Sequence, residues 1–305
     1  MSVLARGLGG VVVVSLMMSS FACGSVAPPP SQMPDAKTAV ARLDATYAQV
    51  SGIEGTAKID YLGDKGRVRG DVQVLVSAPA NLRFQITADV IGSAGVVASN
   101  GITFQAEDKG NNKYLVGPAK PCNIARITQV PLPTEELVPM LWGMRPKIDG
   151  PIKCDSISWE GDGYYKVMMS SGDGKSLAHE LHVTPTPDTW NKPFAEQKMR
   201  LLGVLGWSTD KGDADLVYRV TMKDHQLAHT AKAIVGDVPG LDEDVPPSGP
   251  QVDVDVPRSI KVEVPSKKSD VIFTYSDASV NPPLMDNVFQ LQLTPGVPVE
   301  RSECE

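Results

Sequence analysis

The chain has 305 residues, 42% of them hydrophobic, with 36 acidic against 29 basic side chains and a formal net charge of -7. This length accommodates one large β domain or two smaller ones. The acidic balance argues against nucleic acid as a partner.

The first 22 residues have the pattern of an export signal. One basic residue, Arg6, precedes an uncharged run from Leu8 to Met18, which is shorter than the about 20 apolar residues that a membrane span needs. The four residues "SFAC" then resemble a bacterial lipobox, although the first two are not the usual ones. We expect signal peptidase II to cleave there and to leave Cys23 as a lipidated N-terminus. The alternative is an ordinary secretory signal with an incidental cysteine.

A proline-rich stretch, "GSVAPPPSQMP", follows Cys23. Proline stiffens the chain and removes hydrogen-bond donors, so this composition predicts an extended, flexible tether over residues 23–35. The remaining residues, 36–305, are expected to form a single domain, because no internal repeat or second linker is convincing.

Three cysteines remain after Cys23: Cys122, Cys154 and Cys304. In an exported protein they face an oxidising compartment. We expect a Cys122–Cys154 disulfide, which would close a loop of roughly 30 residues and stabilise the fold by about 3–4 kcal/mol, with Cys304 free near the chain end. The alternative is that all three are reduced. No CxxC motif supports a zinc ribbon or a thioredoxin-like site.

The domain begins with a helical pattern and continues with alternation. Apolar residues recur at helical spacing over residues 36–50, which predicts an amphipathic helix ending near Gly52. Residues 53–61, 68–76 and 82–90 then alternate between apolar and polar, which predicts three strands of a curved antiparallel meander. Shorter strands are predicted around 95–99, 102–107 and 113–117.

The segment 121–145 changes texture again. The stretch "CNIARITQV", residues 122–130, suits a short helix, and "PTEELVPMLWGM" suits a second one with Thr134 as its N-cap and two glutamates in the first turn. That helix is apolar nearly all round, which is typical of a buried helix. Pro139 predicts a kink or two short pieces.

Further alternating strands follow, giving about ten or eleven in total with no βαβ rhythm. We therefore predict a mainly β (α+β) fold, an unclosed antiparallel half-barrel covered by short helices. Two connections are long and polar: "TPTPDTWNKPFAEQ" and the acidic, proline-rich stretch that begins at Gly236.

No motif predicts catalysis, a cofactor or a metal centre. "SSGDGKS" lacks the first glycine of a phosphate-binding loop, and no G-x-S-x-G is present. His179 and His182 lack the spacing of a zinc protease and would face opposite sides of a strand. The acidic residues near 242–255 are better explained as a solvated loop than as a calcium site.

The alternating strands and the apolar helix leave two interpretations open. The core is either a packed sandwich of sheet and helices, or a half-barrel whose helices form a lid on an apolar cavity. Composition alone does not separate them.

Three stretches of sequence resemble the LolB-like outer-membrane lipoproteins of the LolA/LolB superfamily. The run "VRGDVQVLVSAPANLRFQITADVIGSAGVVASNGITFQAEDKGNNKYLVGPA" is similar to that family's strands, and "ITQVPLPTEELVPMLWGMRP" to its proline-entered lid helix and Gly-x-x-Pro exit. "FTYSDASVNPPLMDNVFQLQLTPGVPVE" resembles the closing segment of an uncharacterised branch. The chain departs from LolB in its long insert, its acidic loop and its extra cysteines.

The resemblance implies a lipid-anchored protein of the outer membrane, facing the periplasm, that holds acyl chains of lipids or lipoproteins and can exchange them with a LolA-type carrier. Ile91 would correspond to the exposed apolar residue of the loop between the third and fourth strands, with Val96 and Val97 less well matched. The candidate cavity and lid residues are Val72, Val74, Leu82, Phe84, Ile86, Leu137, Leu141 and Trp142. The alternative function is a lipid-anchored scaffold or interaction protein with a filled core and no ligand, whose acidic loop and insert dock a partner.

Overall fold

A computed structural model describes residues 25–63, 66–88, 95–128, 130, 132–148, 150–172, 178–208, 215–236 and 243–303. Cys23, Ile91 and Cys304 lie outside these described residues. The helices are α1 (Ala36–Tyr47), α2 (Pro121–Thr128) and α3 (Thr134–Met140). The strands are β1 (Gly52–Gly63), β2 (Gly66–Ser77), β3 (Asn81–Ala88), β4 (Gly95–Asn100), β5 (Thr103–Asp108), β6 (Lys113–Pro118), β7 (Ile152–Glu160), β8 (Tyr164–Ser171), β9 (Ala178–Pro185), β10 (Met199–Ser208), β11 (Asp215–Lys223), β12 (Gln226–His229), β13 (Asp253–Val256), β14 (Ser259–Val264), β15 (Ser269–Val280) and β16 (Val299–Arg301).

Fourteen of these strands form one open sheet in the order β16-β6-β5-β4-β3-β2-β1-β15-β14-β11-β10-β9-β8-β7. All neighbours are antiparallel except β16 and β6, which are parallel. The sheet is not closed, because β16 and β7 are its two edges. The predicted unclosed, mainly β fold is confirmed. The expected ten or eleven strands were too few. Short strands such as β12, β13 and β16 are defined by their pairing with another strand, which a short sequence pattern does not reveal.

The antiparallel order gives the sheet two rims. One rim carries the β2–β3, β4–β5 and β7–β8 turns, as the pairings Ser77–Asn81, Thr103–Pro118 and Glu160–Tyr164 show. We call it the strap rim. The opposite rim carries the ends of β1 and β5 and the connection from β14 to β15. The end of β3 and the start of β4 also lie at the opposite rim.

Helix α1 packs on the half of the sheet that ends at the β7 edge, against β7, β8 and β10. Helix α3 packs against β3 in the other half. The Asp35 side chain caps α1 by accepting a hydrogen bond from the backbone N–H of Thr38 at 2.7 Å. Helix α3 differs from the expectation, because Pro133 occupies the cap position and Thr134 is the first helical residue. Pro139 lies in the last turn of α3, so the helix is a single short piece.

The N-terminal segment 25–35, which we call the strap, lies against the domain. The prediction of a flexible tether is therefore corrected for these residues. Met33 is buried and its backbone N–H donates to the Tyr165 hydroxyl at 3.1 Å. Ser31 accepts a hydrogen bond from the backbone N–H of Phe194 and another, through its carbonyl, from the Gln197 side chain. The long polar insert therefore holds the strap. Among the described residues, none of the helices has the length and apolar character to cross a membrane.

Candidate functional site

The candidate site is the concave side of the sheet together with the lid segment, which we define as residues 134–146. Within it, Leu137, Val138, Met140, Leu141 and Trp142 are each at most 1% exposed. This burial follows from the run of apolar residues 137–142, which leaves little of the segment suited to water. The lid segment therefore closes the concave face rather than lying on its surface.

The predicted cavity-lining residues come together on this concave side. Val72, Val74, Leu82 and Phe84 on β2 and β3 are 0–3% exposed. They belong to one continuous apolar core with Leu137, Leu141 and Trp142 of the lid segment. Ile86, near the opposite rim, is partly buried and packs against the same core.

In this conformation the lid side chains fill the interior among the described residues. On the sheet itself, Phe84 of β3 and Phe273 of β15 lie together in the same core, with ring centroids 6.1 Å apart. A pocket of about 360 Å³ lies instead on the outer face of the sheet, between Glu54, Gln73, Arg83 and Asp277. Polar and charged side chains line this pocket together with Val74, Leu75 and Val288.

A buried polar cluster fastens the lid segment to the sheet, and we call it the latch: Glu136, His179 and Tyr218. The Tyr218 hydroxyl donates to Glu136 Oε2 at 3.1 Å and lies 2.9 Å from His179 Nε2. The three side chains are 8%, 1% and 0% exposed in the order Glu136, His179, Tyr218. A polar group buried in an apolar interior is costly without a partner, so these contacts hold α3 in one position.

The protonation states of the latch follow from burial. Burial, and next the charge of Arg145, lowers the pKa of His179 from 6.5 to about 4. His179 is therefore neutral at pH 7, and with Tyr218 donating to Glu136, His179 donates from Nε2. Its Nδ1 then has no hydrogen-bond partner among the residues that the structure describes. Burial, followed by Glu136, raises the pKa of Tyr218 well above 10.0.

The latch was not predicted from the sequence. Glu136 was expected only to favour the dipole of α3 from its first turn, whereas in the structure its carboxyl group points inward. The available signal was one acidic residue in an otherwise buried pattern, together with His179 on the inward side of β9, where burial alternates. His182 faces the other side and pairs with Glu180 at 2.7 Å. Being closed to solvent, the latch offers no access for a substrate.

A second contact ties the exit of the lid segment to α1. Arg145 donates through Nε and Nη2 to the two carboxylate oxygens of Asp44, both at 2.8 Å. Arg145 is 13% and Asp44 34% exposed, so water screens the pair only partly. The two-pronged geometry fixes the orientation of both side chains.

Gly143 allows the chain to turn sharply between these fastenings. Its φ of +92° lies in the left-handed region that favours glycine. A Cβ there would also come within 3.0 Å of Pro257 and the Tyr47 hydroxyl. The Gly-x-x-Pro exit of the lid therefore has a steric basis in this chain.

The cysteine prediction is wrong in one respect. Cys154 is a free cysteine, so the expected Cys122–Cys154 disulfide does not form, whereas Cys122 is disulfide-bonded elsewhere. Cys154 lies on the edge strand β7, paired with Met169 of β8. The prediction rested on the number of residues between Cys122 and Cys154. Whether two cysteines can bond depends instead on where the strand register places them, which the sequence did not reveal.

No family model matches the sequence. No curated protein matches it either. Among solved structures, a DUF1329 family protein from Desulfovibrio piger matches with a TM-score of 0.51 and 11% identity, over 84% of this chain and 95% of that chain. The chain is similar in overall fold to that protein, and at this identity the similarity concerns the fold alone.

Two further structures match with a TM-score of 0.49. One is a LolA superfamily protein from Nitrosomonas europaea, at 14% identity over 85% of this chain and 99% of that chain. The other is a putative outer membrane lipoprotein-sorting protein domain from Vibrio parahaemolyticus, at 10% identity over 84% of this chain and 97% of that chain. The resemblance to the LolA/LolB superfamily therefore stays a prediction from the sequence.

Proposed function

We propose that this protein is a lipid-anchored periplasmic receptor that holds acyl chains of lipids or lipoproteins beneath its lid segment. The observation that carries the proposal is a lid segment whose apolar side chains close an apolar concave sheet and whose polar contacts to the sheet and to α1 are few. The structure describes the closed form. Chains would enter when the lid segment moves away and would bind without covalent chemistry.

The energetics of this exchange are close to balanced. Exposing the large apolar side chains of the lid costs about 1.5–3 kcal/mol each, or about 10 kcal/mol for Leu137, Val138, Met140, Leu141 and Trp142 together. Burying the chain of a palmitoyl group contributes about 0.8 kcal/mol per CH₂, or about 12 kcal/mol. A few polar contacts can therefore decide whether the lid is open or closed.

The anchor is part of the same proposal. Lipidation at Cys23 would attach the protein to the outer membrane, facing the periplasm, and a LolA-type carrier would deliver acyl chains to it. The lipobox supports the attachment, and the periplasmic face suits a protein that receives chains from a soluble partner.

The filled interior favours a second candidate, an anchored scaffold with no ligand. Its docking sites would be the acidic loop and the polar insert. The structure weakens this candidate at the insert, because Phe194 and Gln197 already bind the strap. At the acidic loop, the Asp253 carboxylate already has a partner within the chain, because it lies 2.7 Å from His229 Nδ1.

Native mass spectrometry of the membrane-extracted protein after detergent removal separates the two candidates. The receptor should retain acyl-chain species, and Leu141→Glu, which places a charge among the buried lid side chains, should lose them. Leu62→Glu, at an exposed position of β1, is the matched control and should retain them.

Because Leu141→Glu can also disturb folding, its circular dichroism spectrum is compared with that of the unmodified protein, and Leu141→Ala serves as the milder variant. A folded protein that carries no lipid and ignores added fatty acid would contradict the receptor and favour the scaffold.

A further inference from the structure

The strap brings the start of the described chain to one point on the strap rim. The backbone N–H of Val26 donates to the Gly161 carbonyl at 2.8 Å. The Trp159 side chain donates from Nε1 to the Val26 carbonyl at 2.9 Å. Ser25 and Val26 also lie against Gly161 and Gly163, where an added Cβ would meet them at 3.3 and 3.4 Å. The β7–β8 turn therefore holds the chain from Ser25 onward.

The distance from this point to the anchor is short. Cys23 precedes Val26 by three residues, and an extended chain spans at most about 3.6 Å per residue, or about 11 Å in all. This step rests on the lipidation of Cys23 that the proposed function includes. A domain held so closely has no freedom to hang at a distance from its membrane.

The strap rim also carries apolar and aromatic side chains suited to a bilayer surface. Val26 is 46% exposed, and Ile102, in the β4–β5 turn of the same rim, is 77% exposed. Trp159 and Trp190 pack edge to face beside Val26, with ring centroids 5.7 Å apart, and both remain partly exposed. Tryptophan is enriched at membrane interfaces because its ring is apolar and its N–H is polar.

The charges near the β7–β8 turn indicate the kind of surface. Glu160 pairs with Lys166 at 3.3 Å, and Asp162 is exposed in the turn. This acidic turn gains nothing from an anionic surface, since like charges repel. A zwitterionic surface, such as phosphatidylethanolamine, fits better.

We infer that the strap rim docks against a zwitterionic bilayer, with the β7–β8 and β4–β5 turns both at the headgroups and the opposite rim pointing away. The twelve-residue strand β1 spans the sheet from rim to rim, about 40 Å at 3.3 Å per residue. The start of β4 and the end of β3 would then lie far from the membrane, accessible from the periplasm.

Energy transfer from labelled positions to an acceptor lipid tests this orientation. The acylated full-length protein, with Cys154→Ser, is placed in phosphatidylethanolamine/phosphatidylcholine vesicles. Four exposed positions are labelled one at a time. Asp162→Cys and Ile102→Cys lie on the strap rim, and Lys109→Cys and Leu62→Cys are their matched controls at the opposite rim.

Both strap-rim labels should transfer more efficiently than their controls, because the six-residue β5 places position 109 about 20 Å from the strap rim and the twelve-residue β1 places position 62 about 40 Å from it. Efficient transfer from position 162 but not from 102 would show a domain hanging from its anchor, and would overturn the docking. Equal transfer from all four positions would overturn it as well.

The mass of the N-terminal peptide is measured on the same preparation. If the N-terminal peptide carries no acyl groups, both the lipid anchor and this inference are contradicted. These results are independent of whether acyl chains bind beneath the lid, which native mass spectrometry decides. The failure of one proposal is therefore distinguishable from the failure of the other.

Discussion

Replacing the central residue of the latch, Tyr218→Phe, removes one hydroxyl and leaves the ring in place. The hydroxyl contacts Glu136 at 3.1 Å and His179 at 2.9 Å, and all three residues are buried. Each of the two hydrogen bonds lost contributes about 0.5–1.5 kcal/mol, and a buried group left unsatisfied adds about 1 kcal/mol or more. The expected loss in free energy of unfolding is about 2–4 kcal/mol, a large share of the about 5–15 kcal/mol typical of a folded protein.

Urea denaturation followed by circular dichroism measures this loss, and an unchanged slope would show that the folded and unfolded states are otherwise alike. Hydrogen exchange should also become faster in α3, because the latch holds that helix. Tyr164→Phe is the control, since the Tyr164 ring stacks on His182 at 4.3 Å but its hydroxyl makes no hydrogen bond among the described residues. A Tyr218→Phe loss no larger than that of the control would refute the role of the latch.

Three further predictions concern the Asp44–Arg145 ion pair, the buried histidines and Cys154. Asp44→Asn should destabilise the protein by about 1 kcal/mol or more and raise lipid uptake, because it breaks the partly buried ion pair with Arg145; unchanged uptake in a fluorescent fatty acid assay would argue against a role in closing the lid. Burial lowers the pKa values of His179 and His225 from 6.5 to about 4, so the unfolded chain binds more protons than the folded chain between these two pH values. The free energy of unfolding should therefore be highest above pH 6.5 and fall by about 3 kcal/mol per histidine toward pH 4. His179→Gln should make this dependence on pH weaker. Cys154 should react with iodoacetamide in the unreduced, unfolded protein, whereas its protection there would contradict the free cysteine.

The sequence predicted the features that depend on periodicity. Alternation in residues 53–90 identified β1 to β3, and the mostly apolar pattern of 134–145 identified a buried lid helix. Both are local properties, because which side of a strand or helix is apolar determines which side is buried.

The features that depend on long-range contacts were not predictable in this way. Met33 is buried through Tyr165, 132 residues away, so a proline-rich stretch that reads as a tether becomes part of the domain. Glu136 required knowledge that β9 and β11 place His179 and Tyr218 opposite α3. The free Cys154 depended on strand register, which one sequence does not encode locally.

Photocrosslinking tests whether acyl chains bind beneath the lid. The protein is irradiated with a palmitate analogue carrying a photoreactive group at the end of its chain, and the modified peptides are sequenced by mass spectrometry. The account predicts crosslinks on the concave side, at peptides containing Phe84 and Leu137, and more of them in Tyr218→Phe. Crosslinks confined to the outer face around Glu54 and Arg83, or none in a folded protein, would contradict it.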